Sequence, residues 1–288
     1  MGEGLKRHTR LEREAMVDAL VPLIIRHMGH RLIALGVGGS FARGADGPYS
    51  DLELIGFVKK ASGPRAPVGF VHDGLSIDIR FPTRQEFLDS HKLKIGPAWP
   101  FTARTVLVPL INDAFVREIN AMPYNNAVEA RLRALGAFWP RIQDATAKLL
   151  TAVESGNAAP APYLYWQAVE KFCIALSFLN AQPFTSRAAM FGEAQGFSIL
   201  PTGFEDLLIP AEAALDAVEL ARRAHRMVWE MQRLLTAHGA VLQAASLDAF
   251  VCEQSFGDIL RDSLHVERFA YKVENPGQAR LDESPAEP

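Results

Sequence analysis

Near residue 120 the texture of the chain changes, and this break constrains the fold more than any other feature. Before it, short apolar runs alternate with glycine and proline: RLIALGVGG, DLELIGFV, LSIDIRF and ARTVLVPLI each read as a strand bounded by turn signals. Helical patterns flank them. Residues 11–30 carry apolar side chains at helical spacing, with Pro22 a predicted kink, and residues 83–93 open on TRQE, a Thr-x-x-Glu capping pattern. From about Tyr124 onward the strands vanish. Helical stretches over 125–155, 162–181, 203–239 and 246–272 are separated by the breakers SGNAAPAP and NAQPFTS. The pattern predicts an α+β chain: a mixed sheet with helices over residues 1–122, a helical bundle over 123–274, and a polar, proline-containing tail over 275–288 that is expected to be disordered. With 288 residues, 49% of them hydrophobic, there is enough apolar side chain for two cores. Trp99, Trp139 and Trp166 are expected in those cores.

Charge and cysteine usage narrow the function classes. A net charge of −3 argues against non-specific nucleic-acid binding, so any anionic ligand must be met by local positive charge. The two cysteines, Cys173 and Cys252, are far apart and lie in no metal-binding pattern. They suit a reducing cytoplasm. The charged start MGEGLKRHTRLERE and the shortness of the apolar runs predict neither a signal peptide nor a membrane span.

One stretch carries chemistry: GVGGSFARGADGPYSDLEL, residues 36–54. After a predicted buried strand, Gly36, Gly38 and Gly39 free the backbone for positive φ and for close approach of a ligand. Ser40 then offers a hydroxyl and Arg43 a positive charge to an anion such as a phosphate. Asp51 and Glu53 follow, one residue apart at the start of a strand. Alternation along that strand puts both side chains on one face. Asp78, the single acid of the apolar run LSIDIRF, joins them if its strand is a neighbour in the same sheet. Three carboxylates within about 4 Å repel by several kcal/mol at an effective dielectric near 20, so a cation must offset them. Mg²⁺ suits such an all-oxygen set and shares its coordination with substrate phosphates.

The order Gly-Gly-Ser, Ser-Asp-x-Glu and a later lone acid on an apolar strand resembles the nucleotidyltransferase domain of the polymerase-β-like superfamily. Within it, ADGPYSDLEL, LSIDIRFPTRQEFL, AWPFTARTVLVPLIND and APYLYWQAVEKFCIALSFLNAQPFTS resemble the aminoglycoside 4′-O-nucleotidyltransferase family, over most of residues 30–210. The resemblance implies that Gly39, Ser40 and Arg43 bind the triphosphate of a nucleotide, with ATP the expected co-substrate. It also implies that Asp51, Glu53 and Asp78 bind Mg²⁺. It supplies a general base and a phosphate-binding lysine four residues apart on a helix, a spacing met by Asp144 and Lys148 in IQDATAKLL, with Glu170 and Lys171 in reserve. Positions 78 and 144 carry aspartate where the family carries glutamate. The implied reaction is transfer of a nucleoside monophosphate to a hydroxyl of an aminoglycoside or similar aminosugar, in a homodimer whose active sites lie between subunits. Two alternatives remain open at this stage: a noncatalytic nucleotide-binding module, and a transferase acting on a protein hydroxyl.

Overall fold

A computed structural model describes residues 4–60, 68–207 and 216–242, all within one compact unit that reaches Leu242. The predicted helix at 246–272 and the tail at 275–288 lie outside the described residues. Helix α1 (Arg10–Met28) begins on a complete capping box, in which the Thr9 side chain accepts from the Glu12 amide while Glu12 reaches back to the Thr9 amide. Pro22 lies inside it. Strand β1 (Leu32–Val37) follows, then the single turn of α2 (Gly39–Ala42) and strand β2 (Leu52–Val58).

Strands β3 (Val68–His72) and β4 (Leu75–Arg80) form a hairpin whose two loop residues, Asp73 and Gly74, both take positive φ (47° and 74°). This is the backbone that a tight two-residue hairpin demands. The TRQE pattern caps α3 (Arg84–Leu88) as its spacing predicts, and the chain then widens into a π-helical turn over Asp89–Leu93. After α4 (Trp99–Thr102), β5 (Val108–Ile111) and α5 (Asp113–Ala121), every remaining described element is helical: α6 (Val128–Glu154), α7 (Ala161–Asn180), α8 (Met190–Gln195), a 3₁₀ turn at Phe204–Leu207, and α9 (Ala217–Ala237). The chain is thus α+β, a mixed sheet followed by helices.

The sheet runs β3-β4-β2-β1-β5. Its neighbours are antiparallel except β2 and β4, which are parallel. Alternation divides the strands between two faces. Leu52, Leu54, Leu75, Ile77 and Ile79 pack with Val17, Ile24 and Met28 of α1 on one side. Ile55 and Phe57 pack with Phe87 and Leu88 of α3 and with Val116 and Ile119 of α5 on the other. A third core joins α6, α7 and α9 and also takes in Trp99 and Ala103.

Several elements differ from their predicted form. Strand β3 is exposed along its whole length and so shows no inside-outside alternation to betray it. Helix α5 begins on an Asn112 cap directly behind the apolar run that makes β5, so the two merge in the sequence. The stretch 203–239 is not one described helix: a 3₁₀ turn precedes residues 208–215, which lie outside the described set, and α9 starts afresh on an Asp216 cap. Trp99 and Trp139 are core residues, but Trp166 is 40% exposed. It sits about 100° around α7 from the buried Tyr165 and packs edge-on against Phe191 at its flank.

One buried charge ties α1 to the loop before β2. Arg13 is 1% exposed, and its guanidinium donates to the carbonyls of His8, Gly47 and Ser50 and to Asp46 Oδ2 at 3.3 Å. Asp46, itself buried, also takes a 2.6 Å bond from Arg10, whose guanidinium lies 4.3 Å from the Phe41 ring centroid. Replacing Arg13 removes the side-chain donor from the His8 and Ser50 carbonyls and one of two partners from Asp46, which keeps Arg10, and from the Gly47 carbonyl, which keeps the Ser50 amide. Arg13→Met is expected to lower unfolding stability by about 3 kcal/mol, read as a lower urea midpoint at unchanged slope.

Candidate active site

The acids meet because two strands run side by side in register. In the parallel β2–β4 pair, Glu53 lies opposite Asp78. Both alternate with residues packed under α1, so both side chains face the side that carries α3 and α5. Asp51 stands two residues before Glu53, exposed, just ahead of the first paired residue of β2.

The glycine turn is fastened to the same spot. Gly38 donates its amide to the Glu53 carbonyl at 2.8 Å, which sets α2 against the start of β2. Gly39 has a φ of +64°, and a Cβ added there would stand 2.7 Å from Glu53 Oε2. Glycine takes this φ without strain and leaves the Glu53 carboxylate where it stands. Ser40 Oγ is buried and has no protein hydrogen-bond partner. Arg43 is exposed at the end of α2, within electrostatic reach of Glu53.

The electrostatics follow from this crowding. Burial raises the pKa of Glu53, and the negative charges of Asp51 and Asp78 push it further up; Arg80 and Arg43 act in the opposite direction. Asp78 is divided. Its Oδ2 accepts a 3.0 Å bond from Arg80, while its Oδ1 is buried and has no partner. A buried polar atom left without a partner is costly unless something binds it, and the site holds two, Asp78 Oδ1 and Ser40 Oγ.

Of the eight residues expected at the site, six gather here: Gly39, Ser40, Arg43, Asp51, Glu53 and Asp78. Their acids do not close into a cage, since among the described residues no three His, Cys, Asp or Glu side chains stand close enough together to hold an ion. One oxygen of Asp78 is turned onto Arg80, at 3.0 Å. Asp144 and Lys148 are not drawn in. They form a 2.7 Å ion pair with each other on α6, each side chain about 60% exposed. Glu170 on α7 is better buried and bonds both Lys171, at 3.1 Å, and Arg187, whose guanidinium lies over the Phe101 ring.

The residues that sequence reasoning missed are arginines. Arg80 follows Asp78 by two on an alternating strand, a spacing that places it on the same face. Arg10 and Arg13 show no such signal, because nothing in a helical pattern announces contact with a loop more than thirty residues away.

No protein-family model matches the chain, and a search of curated proteins finds no match. Among solved structures, a nucleotidyltransferase-like protein from Exiguobacterium sibiricum is similar over 86% of this chain and 85% of its own, with 11% identity and a TM-score of 0.44. So loose a superposition bears on neither fold nor function, and the chemistry of the site rests on its own side chains.

Gly39 offers a direct check on the packing of the turn. Gly39→Ala must hold an L-residue in the left-handed region and displace the Glu53 carboxylate. It is expected to cost about 1–2 kcal/mol of stability in urea unfolding, whereas Gly44→Ala, where a Cβ would meet nothing within 4 Å, is expected to show the backbone cost alone.

Proposed function

We propose that this protein is a Mg²⁺-dependent nucleotidyltransferase that moves a nucleoside monophosphate from a nucleoside triphosphate, ATP by preference, to a hydroxyl of a small aminosugar of the aminoglycoside type. The observation that carries this reading is the in-register pair Glu53 and Asp78 behind the Gly39–Ser40 turn, with Asp78 Oδ1 and Ser40 Oγ both buried and unpartnered.

These residues fit a hard divalent cation. The donors are all oxygen, one carboxylate oxygen is already desolvated and vacant of protein partners, and Glu53 carries a raised pKa that a nearby cation would bring down. Asp51, Glu53 and Asp78 would hold the ion once it draws their carboxylates together, since as they stand in the structure they do not form a cage. When bound, Mg²⁺ supplies charge neutralisation at the reacting phosphate. Ser40 and the open backbone at Gly39 would take phosphate oxygens, and Arg43 would add a positive charge to them.

In the reaction, the acceptor hydroxyl oxygen bonds to the α-phosphorus and the bond to the bridging oxygen of pyrophosphate breaks. The hydroxyl proton passes to a carboxylate. Asp144 is assigned this role, with Lys148 beside it to meet the polyphosphate. Both are exposed and face solvent, as residues offered to a neighbouring subunit would be. A homodimer with shared active sites therefore belongs to the proposal, and sedimentation is expected to give twice the chain mass of 31.7 kDa. An acid-lined site suits a cationic aminosugar. No described helix is long and apolar enough to cross a membrane; the proposed location is the cytoplasm, where both nucleotide and Mg²⁺ are at hand.

A pyrophosphate-release assay across a panel of aminoglycosides, with the product checked for mass gain by a nucleoside monophosphate, tests the activity. Asp51→Asn and Glu53→Gln are each expected to abolish release while the fold persists, because an amide keeps an oxygen but loses the charge that holds the cation. Nucleotide binding without turnover toward any acceptor would leave a noncatalytic binding module, and mass gain on a protein instead of a sugar would redirect the acceptor.

The base assignment has its own test. Asp144→Asn is expected to lower kcat by roughly 10²–10⁴-fold with nucleotide binding little changed, and Lys148→Ala to raise the nucleotide KM. A mere surface ion pair contributes under about 1 kcal/mol to stability, and breaking it would leave the kinetics alone. Full activity in Asp144→Asn together with loss in Glu170→Gln would move the base to α7.

A further inference from the structure

The sheet continues past the acids, and there its site face is bare. Gly69 of β3 pairs with Asp78 on one side as Glu53 does on the other, so Gly69, Asp78 and Glu53 form one row across three strands. In the next row Val71 pairs with Ser76, which stands level with Asp51 because it precedes Ile77, the partner of Leu52. Residues paired across a ladder share a face, so all of these look to the side of the acids. Gly69 and Ser76 are exposed, Val71 is 65% exposed, and a Cβ added at Gly69 would meet no described atom within 4 Å. Nor does Gly69 take the positive φ that would require a glycine. Neither backbone nor packing explains a glycine inside this strand, where it costs strand stability; the remaining reason for such a residue is close approach of a ligand.

We propose that this shelf is the acceptor subsite and Gly69 its floor: a sugar ring of the acceptor lies flat across β3 and β4 beside Asp78. The placement rests on the reading above that puts the polyphosphate on the glycine turn. In an in-line displacement the attacking oxygen and the leaving pyrophosphate stand on opposite sides of the α-phosphorus. The turn follows β1 and reaches Glu53 from the β1 side of β2. A hydroxyl that attacks away from the turn therefore comes from the side of β4 and β3. Rows of the shelf are about 7 Å apart and its strands about 5 Å apart, an area that one sugar ring covers. Val71 and the bare backbone of Gly69 offer the C–H face of the ring an apolar floor. The Ser76 hydroxyl offers it a hydrogen bond, and Asp51 and Asp78 edge the shelf with negative charge that complements ammonium substituents. Arg80, one alternation beyond Asp78, closes the far end.

Filling the floor tests the subsite. Gly69→Trp puts a large ring into open space on an exposed strand that suits an aromatic residue, so the fold is expected to persist. Val68→Trp puts the same ring on the same strand but on the opposite face, since Val68 pairs with Ile79, and serves as the control. The full chain is titrated calorimetrically with a non-hydrolysable ATP analogue in Mg²⁺, and the saturated complex is then titrated with kanamycin. Gly69→Trp is expected to weaken kanamycin binding about ten- to a hundredfold while the analogue binds as in the parent, and Val68→Trp to change neither. If Gly69→Trp does not fold, Gly69→Val, smaller and a good strand former, decides in its place, with a lesser loss of the same kind. Kanamycin binding unchanged at position 69 would overturn the proposal, as would equal weakening of the analogue or an equal loss in Val68→Trp. A parent that binds the analogue but no kanamycin would overturn the subsite alone and leave the nucleotide site standing. A parent that binds no analogue would remove the nucleotide site and the subsite together.

Discussion

The parallel pairing of β2 with β4 is the constraint on which the site depends. It is the one parallel contact in an otherwise antiparallel sheet of described strands, and it alone sets Glu53 beside Asp78. A one-residue slip would turn every side chain of one strand to the opposite face, sending an acid into the core under α1 and a leucine or isoleucine to the site. The apolar residues on either side of each acid guard against that slip: Leu52 and Leu54 flank Glu53, Ile77 and Ile79 flank Asp78, and all four are buried. The hydrophobic core therefore holds the register, and the register holds the acids together.

What gathers around this pair is a set of compensations. Two carboxylates side by side on a half-buried face oppose folding, and Glu53 shows it through a pKa raised first by burial and then by its acidic neighbours. Arg80 and Arg43 supply nearby positive charge. Gly38 bonds the Glu53 carbonyl, and this brings Gly39, at a φ of +64°, so near the Glu53 carboxylate that any side chain there must displace it. Farther out, Arg10 and Arg13 hold the loop between the turn and Asp51 by its carbonyls and by Asp46. The N-terminal turns of α1 thus fix the loop that links the glycine turn to the acids.

Much of this was legible in the residues themselves. The GGS turn, the Asp-x-Glu spacing and the lone Asp78 pointed to one face of one sheet because alternation with period two is a strong local rule, and TRQE announced its capping box for the same reason. What stayed hidden was non-local or lacked periodicity. Strand β3 is exposed on both faces, so no pattern of burial marks it. Arg13 reads as an ordinary helical cation until the fold brings Gly47 and Ser50 to it. Asp144 and Lys148 match a spacing, but spacing alone does not bring them to the acids of the sheet; they pair with each other at 2.7 Å on the exposed side of α6.

The most direct measurement is a crystal structure with Mn²⁺ and a non-hydrolysable ATP analogue, with the ion located by its anomalous signal. The account predicts a peak within coordination distance of Glu53 and Asp78 oxygens, Asp51 drawn in beside them, and the triphosphate over Ser40 with Gly39 at its back. An ion bound away from β2 and β4, or a nucleotide seated where it touches neither the turn nor the acids, would contradict it.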